Sequence, residues 1–164
     1  MRASTRLVPV TTAMADALLA GDAVFTERFG WLVAPGYLDF PDVLPVMRDA
    51  LANGTPPEWY SHLFVDDSTG TVVGFGGFKG PPVEGEVEIG YSVAPAHQRR
   101  GHATDVVHQL VGRARDAGVA VVSAHTLSEE NASTRLLARS GFVLIGVVPD
   151  DELGAMWRWE LPLD

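Results

Sequence analysis

From Glu86 onward the chain alternates, with Val87, Ile89, Tyr91 and Val93 on one face and Glu86, Glu88, Gly90 and Ser92 on the other. A period of two predicts a half-buried strand, and Pro95 stops it. Next come Gln98-Arg99-Arg100-Gly101-His102-Ala103, after which Ala103, Val106, Val107, Leu110, Val111 and Ala114 recur at helical spacing in a segment closed by Gly118. The basic turn therefore lies at a helix N-terminus. Its backbone N–H groups lack intrahelical partners and the helix dipole adds partial positive charge, so the turn suits phosphate oxygens. Gly101 lets such a ligand approach the backbone closely.

The same patterning extends to both sides. Leu7 to Val10 predicts a first strand, and Thr12 is placed to cap a helix that runs through Ala20 and stops at Gly21. Residues 24 to 60 carry Phe25, Phe29, Trp31, Tyr37, Phe40 and Trp59 among five prolines, which predicts short helices and loops. His62–Val65 and Thr71–Phe78 form a hairpin around Asp66-Asp67-Ser68-Thr69-Gly70, where Gly74, Gly76 and Gly77 suit a bulge or a close strand crossing better than phosphate binding. Val119 to His125 predicts a buried strand, Ser128 to Ser140 a second long helix, and Phe142–Val148 with Ala155–Leu161 a final strand pair. The fold class is mixed α/β with a largely antiparallel sheet.

Composition narrows the function. A chain of 164 residues with 46% hydrophobic content can bury a full core, and it is expected to form one domain. No apolar run is long enough to span a bilayer, and Met1 to Arg6 lack the apolar centre of a signal peptide, so a cytoplasmic protein without membrane association is expected. With no cysteine, disulfides, thiolate catalysis and cysteine-based metal sites are excluded. A net charge of −9 with the single lysine Lys79 argues against nucleic acid as partner. Among the histidines, His97 and His102 flank the basic turn, His108 falls on a polar helix face and His125 ends a strand as a minor alternative base. No pair of them has a spacing that demands a metal, and no metal site is expected.

The hexapeptide Gln98 to Ala103 resembles the Q/R-x-x-G-x-G/A signature of the GNAT superfamily of acyl-CoA-dependent N-acyltransferases. Glu88-Ile89-Gly90-Tyr91 and Pro95 stand before it, and Asn131-Ala132-Ser133-Thr134-Arg135-Leu136-Leu137 with Gly141-Phe142 after it, in family order. The likeness spans Val83 to Val148 and is strongest to the branch of ribosomal-protein N-terminal acetyltransferases. It implies the GNAT fold, whose splayed central strands bind acetyl-CoA, and transfer of the acetyl group to a primary amine, either a protein or peptide α-amine or a small cationic amine. Two alternatives stand beside it. One is an acyl-CoA-binding regulatory or sensor protein without turnover. The other, a dinucleotide enzyme, would need Gly-x-Gly-x-x-Gly directly after the strand, which residues 98–103 do not supply.

The resemblance assigns the cofactor to Val93, Ala94, Gln98, Arg99, Arg100, Gly101, His102, Ala103, Thr104 and Asn131. Val93 and Ala94 would offer backbone contacts where the strand leaves its parallel neighbour. Asn131 or Ser128 also suits a helix N-cap; Asn131 stands two residues before Ser133 where many relatives have three, with Glu130 in that slot. Arg135 and Arg139, four apart, read as a solvated helix face.

Acyl transfer to an alkyl amine of pKa ~10 needs a proton acceptor. Glu88 is the first candidate, Glu86 lies one pleat away on the same face as a substrate contact, and Glu84 shares that face if the strand begins before Gly85. Many family members carry a tyrosine in the later helix as the acid for the leaving thiolate. Leu137 and Ala138 occupy that stretch here, so Ser133 is the replacement candidate. Trp31, Tyr37 and Trp59 are candidate acceptor-wall residues, the acidic strand face favours a cationic acceptor, and an edge strand or the C-terminal hairpin offers a route to a homodimer.

Overall fold

The computed structural model describes residues 4–38 and 40–164. Of the N-terminal segment considered above, Met1 to Ala3 lie outside the described residues. The strands are β1 (Thr5–Pro9), β2 (Leu32–Val33), β3 (Ser61–Asp66), β4 (Thr71–Phe78), β5 (Glu86–Val93), β6 (Val121–Leu127), β7 (Val143–Asp150) and β8 (Gly154–Pro162). The helices are α1 (Thr12–Ala20), α2 (Asp22–Phe29), α3 (Val43–Ala52), α4 (His102–Asp116) and α5 (Ala132–Arg139), with short 3-10 turns at Pro57–Trp59 and Pro95–His97. The sheet order is β1-β3-β4-β5-β6-β8-β7, with β2 beside β4, and only the β2–β4 and β5–β6 pairs are parallel. No helix among the described residues is long and apolar enough to cross a membrane.

Two apolar layers sandwich the sheet. On one face Val106, Val107, Leu110, Val111 and Ala114 of α4 pack on Val87, Ile89, Val122 and Ala124, joined by Leu136 and Leu137 of α5. On the other, α1 to α3 cover Leu63, Val65, Val72 and Phe75. Each fully buried Val, Leu or Ile contributes roughly 1.5–3 kcal/mol. Four such side chains, Val106, Val107, Leu110 and Val111, fix α4 together with Ala114, whereas α5 is anchored by Leu136, Leu137 and the buried Thr134.

The three glycines of β4 make that sandwich close. A Cβ at Gly76 would stand 2.2 Å from the Gly90 carbonyl oxygen, one at Gly74 2.4 Å from that of Ser92, and one at Gly77 2.4 Å from that of Tyr60. Neighbouring backbones occupy the space, which agrees with a close strand crossing.

Several boundaries differ from the sequence pattern. The cap of α1 is Thr11, whose hydroxyl accepts the Met14 N–H at 3.2 Å, because Thr12 already has helical geometry. β6 runs two residues later than expected, and α5 starts at Ala132 instead of Ser128. Glu84 does not extend β5, since it sits at φ 52° in a turn closed by Val83 and Glu86. β7, an edge strand paired only with β8, leaves Val143, Ile145 and Val147 more than half exposed.

One buried titratable group ties α4 to the sheet. His62 is fully buried; its Nδ1 donates to the Tyr60 carbonyl at 2.9 Å, and its Nε2 accepts from the Arg113 guanidinium at 3.0 Å. Burial first, then the Arg113 charge, lowers its pKa from 6.5 to about 4. The unfolded chain therefore takes up this proton first as pH falls, so stability present above pH ~6.5 is lost toward pH ~4. At ~1.4 kcal/mol per pKa unit, the loss between about pH 7 and about pH 4.5 is on the order of 2–3 kcal/mol. Urea unfolding should show this loss in the wild type and a smaller one in His62→Gln; equal losses would remove His62 as the cause.

Candidate functional site

The β5–β6 ladder runs from Glu86↔Val121 to Ile89↔Ala124 and stops there, although β5 continues to Val93 and β6 to Leu127. Each strand keeps its other neighbour, β4 for β5 and β8 for β6. The sheet therefore forks. Along β5, Glu88 bonds toward β4 through Lys79 and Ala94 through Val73, whereas Gly85 accepts from Ala120 and Val121 on the β6 side. By that alternation the backbone groups of Tyr91 and Val93 point into the fork.

The fork opens into a cleft of about 620 Å³ between the end of β5, the turn that follows it and α5. Its lining includes Tyr91, Val93, Gln98, Arg99, Gly101 and Ala103 on one side. Ser133, Arg135 and Arg139 face them. The turn holds two left-handed residues, Arg99 at φ 63° and Gly101 at φ 93°. The first α4 bond is from Asp105 N–H to the Gly101 carbonyl, so N–H groups 99 to 104 meet no backbone acceptor among the described residues. Free amides at a helix start, flanked by three guanidinium groups, form an anion site inside an acidic protein.

Several cofactor candidates do something more specific than the sequence suggests. Gln98 turns back and donates to the Val93 carbonyl at 3.0 Å, fixing the turn to the strand end. Ala94 cannot donate to a ligand, because its N–H is bonded to the Val73 carbonyl at 2.7 Å and its side chain is in the core. Arg100 is exposed outside the cleft lining, while Thr104 lies within it. The His102 ring is 1% exposed and held by Thr5 at 2.7 Å, so it is not a surface imidazole and only its backbone faces the anion turn. Asn131 caps α5: its side-chain oxygen accepts the Thr134 N–H at 3.0 Å and its own N–H donates to Thr134 Oγ1 at 2.9 Å. Ser128 instead donates to the Ala155 carbonyl. Arg135 and Arg139, expected only to decorate a helix, both line the cleft.

Tyr91 is the residue that the sequence did not single out as a chemical group. Its hydroxyl lies 3.0 Å from Ser133 Oγ across the cleft. Burial raises its pKa, with the Ser133 hydrogen bond opposing, so it stays protonated at neutral pH. Strand-to-helix packing alone brings these two hydroxyls together, 42 residues apart in the chain.

On the opposite face of β5, one residue before the fork, Glu88 is about a quarter exposed. Its Oε2 meets Lys79 Nζ at 2.7 Å and His125 Nδ1 at 3.1 Å. Burial pushes its pKa up, but the Lys79 and His125 hydrogen bonds and charges outweigh it and hold the carboxyl below its ordinary value. Glu86 is spoken for: Arg158 reaches it at 2.7 Å and Glu160 at 2.9 Å, bridging β5 and β8.

Of the expected acceptor-wall residues Tyr37 is buried, while Trp31 and Trp59 are half-buried against the core. Tyr37 is 7% exposed, with a pKa raised to about 12 by burial and then by Asp22. Trp31 packs beside Phe25 with the Arg6 guanidinium 5.5 Å above its ring, and Trp59 packs on Phe78 at 4.9 Å. Large aromatic area drives these rings inward, and none of the three lines the cleft.

Residues 5–143 match the family model described as an acetyltransferase (GNAT) domain. The chain is 28% identical over 109 residues to YjdG, an uncharacterized N-acetyltransferase of Bacillus subtilis; the match spans 65% of this chain and 65% of that protein, just under two thirds of its length. Among solved structures it is similar to the ribosomal-protein-S5-alanine acetyltransferase of Vibrio fischeri, with TM-score 0.67, 14% identity, and coverage of 100% of this chain and 94% of the other. It is also similar to yncA of Salmonella typhimurium, described with its cofactor acetyl-CoA, with TM-score 0.63, 21% identity, and coverage of 100% and 95%. These two likenesses establish the fold.

The cap assignment is open to a stability measurement. Asn131→Ala should cost about 1 kcal/mol in denaturant unfolding, whereas Ser128→Ala should change it by less than about 0.5 kcal/mol. The reverse order would move the cap to Ser128.

Proposed function

The chain belongs to the GNAT acetyltransferase family, and for it we propose transfer of the acetyl group of acetyl-CoA to a primary amine, either a protein or peptide α-amine or a small cationic amine. The fork at Ile89↔Ala124 carries this proposal, since it leaves a strand edge unpaired beside the anion turn, one residue past Glu88. Free N–H groups 99–104 with Arg99, Arg135 and Arg139 fit a pyrophosphate, and the Tyr91 and Val93 backbone fits an extended amide-bearing arm. Bound there, acetyl-CoA supplies a thioester whose acyl carbon exchanges sulfur for nitrogen.

Glu88 receives the acceptor. Lys79, more than half exposed, places an ammonium on the Glu88 carboxylate, where an incoming alkylammonium would sit. Exchange of one cation for the other brings the acceptor to an ionised base, and Glu88 takes its proton directly or through water. The alkylammonium loses its first proton to solvent before it can attack, and because a carboxylate held below its ordinary pKa is a weak base, Glu88 takes the second, from the far more acidic ammonium that develops as the C–N bond forms. Tyr91, bonded to Ser133, holds a proton on the cleft wall for the leaving thiolate. The V. fischeri relative's alanine acceptor makes a protein α-amine the first class to test. A homodimer, if formed, would cover the apolar edge of β7.

Thiol release from acetyl-CoA against a panel of amines and N-terminal peptides tests the activity; no release on any of them would overturn it. Glu88→Gln should lower kcat ~10²-fold or more while acetyl-CoA affinity changes little, and Tyr91→Phe should lower kcat by about tenfold or more. Gly101→Asp, which puts a carboxylate and a strained Cβ into the anion turn, should instead abolish acetyl-CoA binding in calorimetry.

A further inference from the structure

Beside the anion turn, three elements meet at a cluster whose side chains the acyl-transfer proposal gives no chemical role, although His97 and His102 border the cleft. Asp66 ends β3, His97 ends the 3-10 turn after β5, and His102 begins α4. Each turns one ligand atom toward the others, all within 4.8 Å. Asp66 Oδ1 is occupied, accepting the Ser68 N–H at 2.9 Å and hydroxyl at 2.7 Å, which leaves Oδ2 directed at His102 Nε2, 3.5 Å away. His102 is 99% buried, and its Nδ1 meets Thr5 Oγ1 at 2.7 Å while the Thr5 N–H is held by Asp105 at 2.8 Å. Neither His102 Nε2 nor the buried His97 Nδ1 has a hydrogen-bond partner. In the tautomer whose Nδ1 donates to Thr5, rather than the one that accepts from it, His102 directs a bare lone pair at a carboxylate oxygen. Such an arrangement is repulsive unless a cation or proton stands between the groups.

We propose that Asp66, His97 and His102 form a binding site for a zinc-class divalent cation, with water in the fourth position. Tetrahedral zinc with bonds of ~2.1 Å places ligand atoms roughly 3.4 Å apart, so the Asp66–His102 pair is already at that spacing. His97, on a half-buried turn, closes the remaining distance by side-chain rotation. Thr5 and Ser68 fix the ring and the carboxylate from outside, as in established metal sites. Two imidazoles beside one carboxylate favour zinc over magnesium or calcium. The positive end of α4 and nearby Arg100 oppose a cation, and the Asp66 and Asp105 charges offset them. Because His97 and His102 bracket residues 98–101, a bound metal would clamp the anion turn at both ends. The site stands independently of the acyl-transfer proposal.

The test uses the full chain after chelator treatment, titrated calorimetrically with Zn²⁺ and followed with Co²⁺ by visible absorption. The expected result is one saturable site per chain, four-coordinate cobalt bands and a raised melting temperature on zinc addition. Asp66→Asn and His97→Gln should each weaken binding by about tenfold or more, with His108→Gln unchanged. If Asp66→Asn does not fold, His97→Gln on its surface turn decides. Absence of saturable binding, or one-to-one binding that His97→Gln leaves unchanged, would overturn the site.

Discussion

Everything at the site depends on one parallel pairing that ends early. β5 and β6 share four register positions and then part, each still pinned by an antiparallel partner on its far side. A sheet interior does not ordinarily leave backbone groups unpaired. Here the deficit is confined to the fork and opens directly onto the cleft. Glu88 lies on one face of β5, one residue before the fork, and Tyr91 with Ser133 on the other.

The packing of β4 keeps the fork in place. Gly74 and Gly76 let β5 approach so closely that a methyl group at either would meet its backbone, and α4 is held to the sheet by its buried aliphatic face and by the Arg113–His62 bond. With α4 fixed, its first turn holds free amides at a constant distance from the strand end, and Gln98 ties the intervening turn to Val93. α5, with fewer apolar anchors, forms the opposite wall and the one better able to yield.

Electrostatics divides along the same line. A chain of net charge −9 collects Arg99, Arg135 and Arg139 along the cleft. On the other face it keeps Glu86, Glu88 and Glu160, balanced by Arg158 and by Lys79. An anionic donor and a cationic acceptor would thus be drawn to opposite faces of one gap.

The sequence alone determined the β5 alternation, the anion turn, the α4 stripe and the hairpin before it, because these are local periodicities and backbone preferences that short stretches encode. It also determined the family, through motifs that each lie within a few residues. Only the tertiary structure decided which groups are free to act. Tyr37 reads as wall and folds as core, since burial depends on what distant helices cover. Arg135 and Arg139 read as surface and face the cleft, since a helix's orientation is set by its packing. Tyr91 reached Ser133, and Asp66 reached His97 and His102, across separations that no local pattern records. Distances between residues far apart in the chain arise from strand order and layer packing, so the chemistry that depends on them became legible only in three dimensions.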